Sequence, residues 1–157
     1  MQNIVVKVGS NVLTQSDGDL DLGVLRSLCQ QMANLRSEGY QVVLISSGAV
    51  ASGRNMTSIP QKIDDVSRRQ VLAAVGQVKL ISLYAEIFKE FGLLCAQVLV
   101  TKEDFRDRGH YLNMKNCLEA LLKNGIVPVV NENDVVSVTE LMFTDNDELA
   151  GLVSSML

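Results

Sequence analysis

Ile4-Val5-Val6-Lys7-Val8-Gly9-Ser10 is the stretch from which the rest of the chain is read. Residues 4–8 (IVVKV) are rich in β-branched side chains and do not alternate polar with apolar, which suits a strand covered on both faces. A lysine inside such a run is costly to bury unless an anion meets its ammonium group. Gly9 and Ser10, directly after it, can bring backbone amides to the same point. A lysine reaching from an edge strand back to water is the plainer alternative.

Three further runs share this character: residues 42–45 (VVLI), 93–100 (LLCAQVLV) and 126–130 (IVPVV). Helical patterns fill the intervals. Leu22, Leu25, Leu28, Cys29, Met32 and Leu35 recur with a 3.6 period, and Gly39 ends the pattern. Val71, Leu72, Val75, Val78, Leu83, Ile87 and Phe91 mark a second helical region, with a break expected near Gly76. Met114, Cys117, Leu118, Leu121 and Leu122 mark a third, closed by Asn124-Gly125 and opened by Thr101 as a cap with Asp104 three residues on. Thr144-Asp145-Asn146-Asp147 reads as the cap of a last helix over residues 148–157. Strands alternating with helices predict an α/β fold, a mostly parallel central sheet with helices on both faces. Ligands in such sheets sit beyond the carboxyl ends of the strands, which selects residues 9–11, 46–53, 101 onward and 131–134. Residues 58–67, with Pro60, read as a flexible excursion.

Length and composition agree with one domain: 157 residues, 47% apolar and 20% charged, with 11 glycines and 2 prolines. That excludes disordered and collagen-like chains. No apolar run approaches the ~18–20 residues of a membrane helix, and residues 1–10 lack the pattern of a signal peptide. Cys29, Cys95 and Cys117 are odd in number and show no CxxC spacing, so a reducing, cytoplasmic setting is expected. The net charge of −4 and the lack of a basic run disfavour nucleic acid as a partner. The charge is unevenly spread. Residues 131–157 contain no Lys or Arg but hold Glu132, Asp134, Glu140, Asp145, Asp147 and Glu148. What neutralises that end is a question for the structure. The closing helix stops without a cap, and a strand is expected to follow, so the sequence reads as a piece of a longer protein.

Ser46-Ser47-Gly48-Ala49-Val50 follows the second run, and a glycine at a strand-to-helix turn allows close approach of a ligand. A simple turn with a serine cap is the alternative. Asn131-Glu132-Asn133-Asp134 after the fourth run, and Asp145-Asn146-Asp147, offer hydrogen-bond acceptors suited to an ammonium group, a hydroxyl or a hydrated metal, or else form Asx turns. Several chemistries find no support. GxxxxGK[ST], GxGxxG and GxSxG are absent, His110 is the only histidine, and no calcium-loop spacing occurs. Asn55-Met56-Thr57 matches a glycosylation triplet without any route to secretion.

In this order, Lys7-Val8-Gly9-Ser10, Ser47-Gly48-Ala49, Asn131-Glu132-Asn133-Asp134 and Asp145-Asn146-Asp147 resemble the amino acid kinase family, as does Gln70-Val71-Leu72-Ala73-Ala74-Val75-Gly76-Gln77. The resemblance covers essentially the whole chain. It points to the branch that phosphorylates the γ-carboxylate of L-glutamate at the start of proline biosynthesis. It implies a three-layer sandwich of which this chain is the amino-acid-binding, N-terminal part, with the second catalytic lysine and most of the nucleotide pocket lying beyond it. It implies ATP and Mg²⁺ as cofactors, L-glutamate as substrate, L-proline as feedback inhibitor and a homo-oligomeric state. By the same resemblance Lys7 contacts the phosphates, Gly9 and Ser10 form the phosphate loop, and Ser47, Gly48, Ala49, Asn131, Asp134 and Asn146 bind the amino acid. Asp147 would organise the catalytic lysines, and no residue is assigned to a metal. A kinase of acetylglutamate or aspartate, or a non-catalytic amino-acid sensor, is the alternative. An ionised carboxylate needs no general base, which suits a site without histidine; alignment and charge cancellation are what remain to be supplied. The acidic end would then face an ammonium group, a metal and a lysine from outside this sequence, and the piece alone is expected to be inactive.

Overall fold

The computed structural model describes residues 2–59, 62–137 and 146–157. Its elements in chain order are β1 (Asn3–Lys7), α1 (Ser10–Leu13), α2 (Leu22–Ser37), β2 (Gln41–Ile45), α3 (Ala49–Arg54), α4 (Asp65–Glu90), β3 (Cys95–Val100), a 3-10 turn at Glu103–Phe105, α5 (Arg108–Lys123), β4 (Val127–Glu132) and α6 (Asn146–Met156). Among the described residues the strands form one sheet, ordered β1-β2-β4-β3, with every neighbouring pair parallel.

Period-two burial explains the layers. On β2, Val42 and Leu44 enter one core with Leu25, Cys29 and Met32 of α2 and Leu80, Tyr84 and Phe88 of α4. Val43 and Ile45 enter the opposite core with Met114, Leu118 and Leu122 of α5 and Leu149, Val153 and Met156 of α6. β2 and β4 are therefore apolar on both faces, and each fully buried large side chain contributes about 1.5–3 kcal/mol. The chain advances from β1 through β2 to β3 under α2 and α4, then steps back to β4 under α5. A right-handed crossover that reverses direction must use the opposite face, as α5 does.

Local chemistry sets the boundaries. Asp21 caps α2 by accepting from the Val24 amide, and Gly39, at φ 93°, ends it. The Gly39 and Tyr40 amides donate back to Arg36 and Leu35, which satisfies the last carbonyls. Pro128 is tolerated in the central strand β4. Val127 donates to Leu94 on the β3 side and Val130 accepts from Ser46 on the β2 side, so the Pro128 nitrogen faces β2. Pairing there starts only at Leu44 and Val129.

Four expectations are corrected. α4 runs unbroken through Gly76, because that glycine makes room for a neighbouring backbone rather than breaking the helix. The excursion over 58–67 ends early: Asp64 caps α4 by accepting from the Ser67 amide, so Asp65 is already helical. Thr101 does not open α5. Its amide and hydroxyl donate to Asp104 ahead of the 3-10 turn, and Asp107 caps α5 by accepting from His110. β4 reaches Glu132 because pairing with Val100 of β3 outlasts the apolar run. The proposed cap at Thr144 and Asp145, and Glu140, lie outside the described residues. The expectation that no apolar run approaches membrane-spanning length is corrected as well: α4 is long and apolar enough by composition to cross a membrane, with a mean hydropathy of 1.5. Leu72, Leu80, Tyr84, Ile87 and Phe88 are buried in this fold, while Val66, Val71 and Val78 of the same helix are exposed.

Candidate active site

A cavity of about 620 Å³ opens at the carboxyl ends of β1, β2 and β4. Three of the four predicted segments reach it: residues 9–11, 46–53 and 131–134. The fourth, from Thr101 onward, does not contribute to its lining. The parallel sheet explains the convergence, since each strand delivers its following turn to the same side.

Lys7 ends β1 in the cavity lining, its side chain 31% exposed and its ammonium 2.7 Å from Oδ1 of Asp147 in the first turn of α6. The same ammonium passes 3.8 Å from the place a Cβ on Gly9 would occupy, so the turn runs directly beneath it. β1 is an edge strand of the described sheet and Lys7 keeps access to water, as the plainer alternative has it, while its ammonium also meets a carboxylate. Ser10 begins α1 at the same rim.

After β2 the two serines divide. Ser46 turns inward and shares a 2.9 Å hydrogen bond with the Tyr84 hydroxyl, a role not read from the sequence. Burial pushes the Tyr84 phenol above its ordinary range, and the Ser46 contact only partly opposes this. Ser47 faces the cavity, where its hydroxyl accepts from the Asn146 side-chain amide; the same Nδ2 donates to the Ser46 carbonyl at 2.6 Å. Gly48, not a serine, occupies the cap position of α3, at φ 95°, where a side chain would be strained. Ala49 follows it into the lining.

A glycine contact holds this turn in place. A Cβ on Gly76 would lie 1.8 Å from the Ala49 carbonyl oxygen, and one on Gly53 would lie 2.0 Å from that of Leu72. α3 and α4 therefore meet backbone to backbone, which is what the Gly76 of the quoted stretch supplies.

On β4, Asn131 is buried, donates through Nδ2 to Gln77 Oε1 at 3.1 Å and accepts the Glu132 amide at 2.8 Å. Gln77 passes the contact on, donating to Gln97 of β3 at 3.0 Å. Asp134, its side chain 9% exposed, accepts from Arg69 Nε and Nη2 at 3.1 and 2.8 Å. Nine of the predicted residues, Lys7, Gly9, Ser10, Ser47, Gly48, Ala49, Asn131, Asp134 and Asn146, thus line one cavity, and Asp147 joins it through Lys7.

Arg54 and Arg69 line it too and were not anticipated. The only signal was a basic pair, Arg68-Arg69, immediately before the quoted glutamine-to-glutamine stretch. Arg69 also answers part of the question of what neutralises the acidic end. Asp134 pairs with Arg69, Asp147 with Lys7 and Glu148 with Lys102, so cations of this chain already meet three of its acids.

Other chemistry is muted. Among the described residues no three His, Cys, Asp or Glu side chains gather to hold a metal. Burial pushes the Cys29 thiol up to about 12, so it is no thiolate nucleophile at neutral pH. His110 is exposed and sits on Asp104, outside the cavity lining.

Residues 2–157 match the amino acid kinase family. The chain is 56% identical over 154 residues to a glutamate 5-kinase of Bacteroides thetaiotaomicron, covering 98% of this chain and 43% of that enzyme. It is 57% identical over 156 residues to one of Chlorobaculum tepidum, covering 99% and 43%. With one of Caldanaerobacter subterraneus subsp. tengcongensis it shares 46% over 154 residues, covering 98% and 41%. The chain thus spans less than half the length of these curated relatives.

Proposed function

Because the chain belongs to the amino acid kinase family, we propose that it is the amino-acid-binding, N-terminal part of a single kinase domain that converts L-glutamate to L-glutamyl 5-phosphate. The whole protein would use ATP with Mg²⁺ in the cytoplasm, at the first step of proline biosynthesis. The names of its relatives and the composition of the cavity support this reading.

The observation that carries it is the placing of two ion pairs on one cavity. Lys7 with Asp147 stands where β1 ends over Gly9, and Arg69 with Asp134 stands on the β4 side. In the reaction a γ-carboxylate oxygen forms a bond to the terminal phosphorus as the bond from that phosphorus to the bridging oxygen breaks, leaving ADP. The acceptor is already ionised, so no proton has to be removed. Lys7 would offset charge on the migrating phosphoryl group, Asp147 would hold the lysine's direction, and the Gly9 and Ser10 amides would approach the phosphates. Asn131, Ser47, Gly48, Ala49 and Asn146 would bound the amino acid. Magnesium would supply further neutralisation of phosphate charge, and no residue of this segment is assigned to it.

Asp134 favours a substrate with a free ammonium group over an acetylated one, because an acylated nitrogen has lost its positive charge and keeps only a single N–H donor for the carboxylate on the wall. L-Proline, as feedback ligand, carries the same ammonium and carboxylate and would compete for that wall.

The test is steady-state kinetics of the complete protein. Asp134→Ala should raise the KM for glutamate by roughly tenfold or more, the ~1.4 kcal/mol of a charge-assisted contact, and leave the KM for ATP within about twofold. An equal rise in both constants refutes the assignment of this cavity to the amino acid.

A further inference from the structure

We propose that Arg69 is a specificity-determining residue that binds the α-carboxylate of the substrate while Asp134 binds its α-ammonium group. This rests on the reading above and names which end of the amino acid each side chain takes.

The geometry of the pair is lopsided. Arg69 directs both Nε and Nη2 to a single oxygen, Oδ1 of Asp134. A guanidinium that engages a carboxylate to the full does so with two nitrogens on two oxygens. Oδ2 of Asp134 and Nη1 of Arg69 have no hydrogen-bond partner among the described residues, and both residues line the 620 Å³ cavity. One acceptor on Asp134 and one donor on Arg69, of opposite charge, are therefore left on two residues of its wall.

A free α-amino acid carries its ammonium and carboxylate on one carbon. Laid antiparallel to the Arg69–Asp134 pair, it would complete a ring of alternating charges with no net charge added. The side-chain carboxylate then points away from the pair, toward Lys7 on the other side. Arginine suits this task because its planar fork can hold one carboxylate and still donate to another.

The pair is also fixed. Gln70, the next residue of α4, donates through Nε2 to the Val135 carbonyl, the next residue after Asp134, at 2.8 Å. Two successive contacts tie the start of α4 to the 134–135 segment. The Gly76 crossing then ties α4 to the Ser47-Gly48-Ala49 turn. An isolated surface pair would be worth little; this one is held by its neighbours at a cavity wall.

The experiment compares L-glutamate with L-isoglutamine, its α-amide, in the complete protein and its Arg69→Gln and Arg69→Lys variants. The wild type should prefer glutamate by about tenfold to a hundredfold in kcat/KM, the range of a charged hydrogen bond. In R69Q that preference should collapse: glutamate loses most of its advantage, isoglutamine changes by less than about threefold, and the KM for ATP stays put. R69K should recover part of the preference. Where isoglutamine turns over too slowly, its inhibition constant against glutamate supplies the same ratio. If R69Q weakens both compounds by the same factor, Arg69 only braces Asp134 and the proposal is overturned. It is equally overturned if the wild type does not distinguish the two. A wild type that phosphorylates neither overturns the kinase reading itself, a separate result.

Discussion

Lys7, the last residue of β1, and Asp147, the second residue of α6, are joined by an ion pair of 2.7 Å across the mouth of the cavity. The strand brings the ammonium to the carboxyl edge of the sheet, and the helix aims it. Both partners keep access to water, Asp147 the more so, so the contact's worth lies in direction rather than in stability.

Replacing Lys7 tests that role most directly. Lys7→Met in the complete protein should lower kcat by about 10²–10³-fold, the loss seen when one charge-stabilising donor is removed from a transition state, with a smaller change in the KM for glutamate. Asp147→Asn should lower kcat as well, since the lysine loses its aim. Turnover near normal in Lys7→Met rejects the assignment.

The glycine crossing gives a stability prediction. Gly76→Ala places a methyl group 1.8 Å from one backbone oxygen and 2.5 Å from the Gly53 nitrogen, atoms that cannot rotate away. It should cost roughly 1–3 kcal/mol or more in denaturant unfolding and raise the KM for glutamate by displacing the turn at Gly48. Gly151→Ala in α6, where nothing lies within 4 Å, should instead be neutral or stabilising by up to about 1 kcal/mol.

The strands were legible because residues such as Val42, Val43, Leu44 and Ile45 state in themselves that both faces are covered. The polar turns were legible for the complementary reason: Lys7, Ser47, Asn131 and Asp134 follow apolar runs at places where a polar group has to be accounted for. What escaped depended on partners far along the chain. Gly76 reads locally as a helix breaker, and only the Ala49 backbone packed against it reveals its use. Arg69 reads as an ordinary charge on a helix surface, and nothing near it in sequence shows that it meets Asp134. Of the cations that face the acidic end, Arg69 of α4 and Lys102 after β3 were invisible for the same reason, whereas Lys7 and its partner Asp147 were already singled out through the resemblance.

Acid should expose a second ion pair. Lys79 donates to Asp19 and, with the Leu20 amide, holds the Asp19 carboxyl below its ordinary value of 3.8, against the opposing effect of desolvation. A carboxyl with a lower pKa in the folded state takes up protons more readily when unfolded, so its contribution is present above about pH 4 and is lost as the pH falls through the folded value. Urea midpoints measured between pH 5 and 3 should therefore fall more steeply for the wild type than for Lys79→Met. Parallel curves would show that the pair contributes nothing.

Gln77 offers the sharpest separation of holding from touching. It sits on α4 between two amides, accepting from Asn131 and donating to Gln97. Asn131 is 4% exposed and its own oxygen is committed to the Glu132 amide, so without Gln77 its nitrogen is a buried donor lacking a partner. Such a group costs about 1–3 kcal/mol, and the amide is expected to turn to relieve it, spoiling the wall that the amino acid meets. Gln77→Met keeps the shape and removes both contacts; it should raise the KM for glutamate by about fivefold to thirtyfold, with kcat and the KM for ATP within about twofold. Gln97→Met removes only the outer contact and should shift that KM by less than about threefold. The decisive measurement is the double variant: if Gln77 works through Asn131, Gln77→Met adds nothing once Asn131→Ala is present. Additive losses would place Gln77 in direct contact with the substrate instead.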